Sequence, residues 1–563
     1  MQRKMILMSP KGFYRKLKIL LSPQEWRLRL LGLRVTDVNP GEKGLVLVQI
    51  DGLSFPDLQR AVQKGHMPFL RGLLRRKSCR LYPLYSGVPS NTPAFQGEFF
   101  FGKPQCVPAF QFRDKKTGRV FTMFDKNSAA EIEQRLLKEQ DGLLAGGSSY
   151  ANIFSGGAAE SHLCAATADW VTALKAWNPY SILVTCLLNP WALQRGALLC
   201  LAECFLALFD FFRGLISGED ILEEFKFIFM RVFVSILMRE MITAHARADM
   251  SRGLPVIHVN YFGYDEQAHR RGPSTRFAYW SLSGIDAAVR RLWVTARRTK
   301  RRHYRVWIYS DHGQEKVHSF AKENGKSIQR AAKELYAEIR AAEPCPGPWC
   351  RPRSEGVWGD TILSKRRHPA ENKNEDTSQP LVTTLGPISQ IYFPEPLSDD
   401  EKRLFAQQLI RKNPAIPLVA IPLTVGGADY AAGDKIYRLP RDAQKILGAD
   451  HPYLSAVVED LEVFFQHESR GDLVLFGWRS GAPPVSFSNE NGSHAGLGPR
   501  ETQAFALLPQ DVVLPDMPFF GMRAADLRRA VLTFLGESKQ SANQAFQGKK
   551  EPVYSGGAFL TLL

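Results

Sequence analysis

The chain has 563 residues, 44% hydrophobic and 23% charged, an ordinary globular composition that excludes a disordered or low-complexity protein. That length suits two or three domains, or one α/β domain enlarged by insertions. Lysine and arginine total 73 against 56 acidic residues, and the net charge of +17 favours anionic partners: phosphorylated substrates, nucleic acid or an acidic membrane surface.

The apolar run after Met5 stops at Pro10 and Lys11, too short for a secretory signal. Residues 1–40 are expected as one or two basic amphipathic helices, resting on an anionic membrane or on the domain itself. The following stretch, 41–540, is read as one catalytic domain. Its apolar runs 44–50, 254–260 and 305–310 have the length of central strands covered on both faces, and each leads into Asp, His or Gly. Helical patterns lie between them, a short one at 56–64 with Pro in its first turn and a longer one at 275–298. Strands alternating with helices predict an α/β fold with a mostly parallel central sheet, in which ligands bind beyond the carboxyl ends of the strands.

Residues 141–250 are expected as a helical cap insertion, opened by a Gly/Ser-rich loop. Its apolar runs 196–212 and 221–241 are not membrane spans. The first is short and carries Glu203 and Asp210, seven apart on one helical face, as are Glu224 and Arg231 in the second. Two amphipathic helices follow, packed on each other or on the core, or touching lipid as a lid. Among the cysteines, Cys186, Cys200 and Cys204 lie in this apolar stretch and are expected as buried free thiols, while Cys345 and Cys350 are spaced for a small disulfide loop. Residues 365–380 form a polar surface loop. Strands at 388–393 and 473–476, a closing helix at 522–535 and a tail at 541–563 complete the chain, without an internal repeat.

Four clusters carry metal-capable chemistry: Asp51-Gly52, Asp265 with His269 four residues on, Asp311-His312, and His494 in a small-residue loop. Each alone reads as a capping Asp or an ordinary His. Together they supply a mixed carboxylate and imidazole set that suits two divalent ions, zinc before manganese or magnesium. Ser90-Asn91-Thr92-Pro93-Ala94 supplies a hydroxyl at a helix start, where the backbone N–H groups favour an anion; the same residues make an ordinary cap.

In this order, strand-Asp51-Gly52, Thr92-Pro93-Ala94, Asp265-x-x-x-His269 followed by Gly272-Pro273, Ser310-Asp311-His312-Gly313 and Gly492-x-His494, the motifs resemble the alkaline phosphatase superfamily, and within it the type I phosphodiesterase/nucleotide pyrophosphatase branch. The resemblance implies an alkaline-phosphatase-like α/β sandwich. It implies one metal held by Asp51, Thr92, Asp311 and His312, and a second held by Asp265, His269 and His494. Thr92 is then the nucleophile, passing through a covalent phospho-threonine, with Asn91 or Asn152 near the phosphate. Thr92 is followed by Pro-Ala-Phe where the branch carries Phe-Pro-Asn, so nucleotide specificity does not follow from the resemblance. Neither Ser86-Gly-Val-Pro nor Ser90-Asn-Thr-Pro fits the modified nucleophile of sulfatases.

The expectation is therefore metal-dependent hydrolysis of a phosphate ester, diester ahead of monoester, on a phosphorylated small molecule or lipid. Peripheral contact with an anionic membrane is compatible with it, nucleic acid is not expected as a partner, and a cytoplasmic or peripheral-membrane location follows from the missing signal. Two other readings stand beside it: a transferase moving a phosphate-linked head group to a lipid or glycan, and a non-catalytic membrane-surface scaffold.

Overall fold

The apolar run after Lys43 forms a central strand, β1 (Lys43–Ile50), buried from Gly44 onward. The computed structural model describes residues 42–167, 190–216, 231–342, 378–515 and 521–542, with isolated positions between 28 and 36 and between 221 and 228. Seven strands join β1 in one sheet: β2 (Cys79–Tyr85), β3 (Ser148–Tyr150), β4 (Glu160–His162), β5 (Val256–Tyr261), β6 (His303–Tyr309), β7 (Gln503–Pro509) and β8 (Met522–Arg523). Their spatial order is β8-β2-β7-β6-β1-β5-β3-β4. All pair in parallel except β7, which runs antiparallel to β2 and β6. The expected α/β class with a mostly parallel sheet is what forms.

The helices that bear on the site are α1 (Thr92–Phe101), α2 (Pro190–Ile216), α3 (Arg239–Arg252), α4 (Gly263–Arg271), α5 (Arg276–Arg298) and α6 (Ala524–Ala542). Alternation along the strands divides the core between two faces. Val46, Val48 and Ile50 of β1 share one cluster with Ile242 of α3 and Leu282 and Ile285 of α5. On the other face Phe95 and Phe99 of α1 meet Tyr309 at 5.9 and 5.1 Å, and Phe534 of α6 meets Trp307 at 5.9 Å. Each such side chain contributes roughly 2 kcal/mol by leaving water, so both strand ends are held on a rigid floor.

Residues 111–120 and 317–490 form a second compact unit, distinct from the first, where the sequence reading has a single domain. Its sheet has the order Leu381–Leu385, Ile388–Tyr392, Leu473–Phe476, Leu418–Pro422, Ala428–Ala432, Lys435–Arg438, antiparallel throughout. Helix Asp399–Lys412 packs Phe405 and Leu409 against Ile391, Val419 and Leu475 of that sheet.

The stretch 141–250 is not uniform. It opens with β3 and β4, which extend the main sheet, and ends in α3, which covers β5. The second apolar helix runs on to Arg252, past the expected 241, and widens to a π-turn at Phe233–Met238. Glu203 and Arg231 do not face water: they pair at 2.6 Å with both side chains 1% exposed. The opposite side of α2 turns Leu198, Leu201, Phe205 and Leu208 outward, 49–73% exposed. Cys204 lies on that outward side and is exposed, and Cys200 is half-buried, so neither is the buried thiol expected. At the chain's other end Met522 and Arg523 pair with β2 as a strand, and the closing helix starts at Ala524, where Asp526 accepts from the Arg523 N–H. Residues 1–27, Cys186, the Cys345–Cys350 spacing, positions 365–377 and the tail from 543 lie outside the described residues, as do the side chains of Asp210 and Glu224. Among the described residues no helix is long and apolar enough to cross a membrane.

Candidate metal centre

The sheet delivers the candidate residues to one place. Asp51 follows β1, Asp311 and His312 follow β6, and Asp265 and His269 ride on α4, which begins just after β5. Thr92 is the first residue of α1, and His494 follows the short strand Gly492–Ser493, paired with Glu315–Lys316. All seven belong to the first unit.

The Thr92 Oγ1 lies 3.2 Å from His312 Nε2 and 3.5 Å from Asp51 Oδ1. His312 Nε2 lies 3.5 Å from Asp51 and 3.3 Å from Asp311 Oδ2. On the other side Asp265 is 3.2 Å from His269 Nε2 and 4.0 Å from His494 Nε2. The rings of His312 and His494 stack at 3.7 Å. Two groups therefore have ligand atoms within 4.8 Å of one another: Asp265, His269 and His494, and Asp51, Asp265 and His312. Asp265 belongs to both, where the resemblance assigned it to one metal alone.

The backbone decides which imidazole nitrogen faces the site. His312 Nδ1 donates to Gly313 O at 3.0 Å, His269 Nδ1 to Gly492 O at 3.0 Å, and His494 Nδ1 to Ser90 O at 3.0 Å. A carbonyl only accepts, so each neutral ring keeps its proton on Nδ1 and points the Nε2 lone pair inward at carboxylate oxygens. In that form acceptors face acceptors, which repel unless a cation or a proton on Nε2 lies between them. Among the described residues the buried Asp311 Oδ2 has no hydrogen-bond donor, which adds to the same deficit of positive charge. The residues present thus fit divalent cations, with Nδ1 anchors of the kind that orient metal-binding histidines.

Electrostatics agree. Burial, then the charges of Asp311 and Asp265, push the Asp51 carboxyl well above the usual range, and burial raises Asp311 as well. Burial works the same way on Asp265, but His269 and then His494, when their rings carry a proton on Nε2, outweigh it and hold that carboxyl low. Burial and the neighbouring His312 push His494 down, towards the neutral ligand form.

Close approach also dictates two backbone choices. Gly52 has φ +71, and a Cβ there would stand 2.2 Å from Asp265 Oδ1, so only glycine lets the two acidic segments meet. Ala495 sits at φ +90, strained for alanine, with its N–H held by Ser90 Oγ at 3.2 Å.

Thr92 is not the cap of α1. Asn91 takes that position, its Oδ1 accepting from Ala94 N–H at 2.9 Å, which leaves the Thr92 hydroxyl free of capping duty. Among the described residues the buried Asn91 Nδ2 has no hydrogen-bond partner. Asn152 lies elsewhere, bonded to Ser149, Gln96 and His258.

Three residues escaped the sequence reading. Asn260 Nδ2 donates to Asp51 Oδ2 at 2.6 Å, and Gln314 Nε2 donates to Asp265 Oδ1 at 2.5 Å. Glu501 accepts from the Gly496 and Gly498 N–H groups at 2.7 and 2.6 Å and so braces the loop that carries His494. Asn260 and Gln314 had one available signal, an amide at a strand end beside an acidic motif.

Residues 45–355 match the family model described as type I phosphodiesterase / nucleotide pyrophosphatase. Among solved structures the chain is similar to the alkaline phosphatase PafA, at 12% identity and a TM-score of 0.51, over 89% of this chain and 97% of that one. Phosphonoacetate hydrolase from Sinorhizobium meliloti 1021 is similar at 14% identity and a TM-score of 0.44, covering 89% and 99%. Murine ectonucleotide pyrophosphatase / phosphodiesterase 5 follows at 11% and 0.42, covering 88% and 95%. At such identities the first of these likenesses shows the fold alone. No curated protein sequence matches.

Proposed function

Since the chain belongs to the type I phosphodiesterase / nucleotide pyrophosphatase family and is a metal-dependent phosphoric ester hydrolase, we propose that Thr92 is its nucleophile, that its centre takes two zinc ions, and that it favours diesters over monoesters. The observation that carries this reading is the Thr92 hydroxyl at the start of α1, within 3.5 Å of both His312 Nε2 and Asp51 Oδ1. Asp51, Thr92, Asp311 and His312 would hold one ion, and Asp265, His269 and His494 the other, with Asp265 close enough to serve both. Bound there, the ions would lower the pKa of the hydroxyl and offset charge on the phosphoryl oxygens.

The chain's own groups supply positioning. The Thr92 N–H at the start of α1 and the buried Asn91 Nδ2 would donate to a phosphoryl oxygen beside Thr92. Thr92 Oγ1 forms a bond to phosphorus as the ester P–O bond opens, and the alcohol leaves with a proton. Water then opens the phospho-threonine, restoring the hydroxyl and releasing the phosphate product. In their neutral form His312, His269 and His494 each offer Nε2 to the centre, because the carbonyl at Nδ1 fixes the tautomer.

The test is hydrolysis of bis-p-nitrophenyl phosphate and p-nitrophenyl phosphate with zinc or manganese, with acid-quenched protein weighed for an adduct on Thr92. Metal-dependent diester turnover and the adduct are expected. Preference for the monoester would make the enzyme a phosphatase. No turnover of either ester with two ions bound would fit head-group transfer to an acceptor other than water.

One observation favours a second reading of the substrate. The outward row Leu198, Leu201, Phe205 and Leu208 on α2 supports a substrate met at a lipid surface. Co-sedimentation with anionic vesicles, lost in Phe205→Glu, would support it; equal recovery of both proteins in the supernatant would remove it.

A further inference from the structure

The two strands that end in metal ligands frame a cavity at their opposite ends. Lys43 and His303 are the first residues of β1 and β6 and stand directly opposite one another in the sheet. With Arg297, Arg305, Trp307 and Phe534 they help to line a cavity of about 560 Å³, inside the range of roughly 300–1,000 Å³ usual for small organic ligands. Eight residues of strand separate Lys43 from Asp51, roughly 25 Å at the rise of an extended chain. An occupant here does not touch the hydrolytic centre.

Three features of the lining specify an occupant. The first is charge. Lys43, Arg297 and Arg305 bring positive charge to the lining, whereas Asp511 is the one acid in it and pairs with Arg305. The second is an apolar wall of Phe534, Val512 and Val513, with the Lys43 Nζ lying 5.2 Å over the Phe534 ring. The third is a donor. Trp307 is 0% exposed, yet its indole Nε1 has no hydrogen-bond partner among the described residues. A buried N–H without an acceptor costs about 1–3 kcal/mol. Phenylalanine would fill the same wall without that penalty, so the N–H calls for an acceptor that the described residues do not supply.

We propose that this cavity is a second binding site, for a small amphiphilic organic anion. Its carboxylate, sulfonate or phosphate head lies among Lys43, Arg297 and Arg305, its apolar body lies against Phe534 and Val512, and one oxygen accepts from Trp307 Nε1. The site rests on no assumption about Thr92 or the metals.

The probe is 8-anilinonaphthalene-1-sulfonate, an anion that fluoresces in an apolar cavity, titrated into the full-length protein. Saturable binding is expected, displaced by decanoate and not by inorganic phosphate. Arg297→Glu and Arg305→Glu each alter an exposed rim residue and should weaken dye binding about tenfold, with turnover of bis-p-nitrophenyl phosphate unchanged. In the 15N-labelled protein one indole N–H resonance, identified by its absence in Trp307→Phe, should shift on addition of decanoate. Dye binding indifferent to both charge reversals would belong to an apolar surface such as α2 and would overturn the proposal, as would a Trp307 resonance that stays in place. Displacement by inorganic phosphate as effective as by decanoate would overturn the amphiphilic part. Loss of the dye site with hydrolysis intact leaves the proposed function untouched, so the two ideas fail separately.

Discussion

Two groups of buried charge in the first unit differ in how completely they are closed. Under α2, Glu203 meets Arg231 at 2.6 Å, Trp280 Nε1 donates to its other oxygen at 2.7 Å, and the guanidinium lies 4.6 Å over the Phe277 ring. Around Asp265 three carboxylates and three imidazoles gather with their lone pairs turned towards one another. The first group balances its charges inside the fold, each carboxylate oxygen of Glu203 meeting a donor. In the second the imidazoles anchor Nδ1 on carbonyls and turn Nε2 inward, towards Thr92 and the carboxylates, where capacity is left for an ion. Burial of charge is thus no sign of chemistry by itself; what marks a working site is the capacity left over.

That contrast breaks most sharply at Thr92. Thr92→Ala should cut turnover about a thousandfold or more while leaving the thermal midpoint in place. Full activity in this variant would remove Thr92 as nucleophile. The converse change is Glu203→Ala, which strands the Arg231 charge and should cost about 3–5 kcal/mol of stability in urea unfolding, with kcat of the folded protein unaltered. A loss below a kcal/mol would mean that the pair under α2 is not sealed after all.

Asn260→Ala sharpens the comparison without touching a ligand. It deletes the 2.6 Å bond that orients Asp51 and should weaken zinc affinity about 10–100-fold, read by competition with a chelating dye. Unchanged affinity would assign Asn260 to the fold alone.

The smallest effect concerns Glu315 and Glu501, beside the site. Burial pushes their carboxyls from 4.5 up to about 7 and about 8. Both are held protonated in the folded chain and ionise earlier when it unfolds. Their contribution to stability is therefore whole below about pH 4.5 and is lost as pH rises towards 8, on the order of 1 kcal/mol per pH unit at most. Across that window the stability of Glu501→Gln should gain on wild type in parallel urea titrations. A gap that stays constant with pH would show that Glu501 is ionised in both states.

The clustering of the proposed ligands was legible because metal chemistry restricts residue type: several aspartates and histidines placed just after apolar runs suit metal binding far better than they suit capping or core packing. Strand β1 and the later part of β6 were legible for a related reason, since a run buried on both faces has no polar alternation to blur it. The second unit was not, because its strands match the first unit's in length and polarity, and only pairing shows that 317–490 closes on itself. Strands β3 and β4, three residues each, carry too little pattern to separate from loop. Asn260 and Gln314 carry no charge and gain their meaning only from the carboxylates they face. On α2 the face was found but its direction was reversed: Glu203 turned inward because Arg231 and Trp280 lie there to receive it.

The hydrogen bond from His494 to Ser90 spans 404 positions of the chain. A polypeptide still emerging from the ribosome holds Thr92, Asp51, Asp265 and Asp311 long before it holds His494. At roughly 5–20 residues per second, synthesis of that interval lasts on the order of tens of seconds. On the proposed reading, the Thr92 hydroxyl spends that interval with its ligand shell still open. Activity would then arrive only with the last tenth or so of the chain, and a message cut short before His494 is expected to yield an inert fragment rather than an unregulated hydrolase.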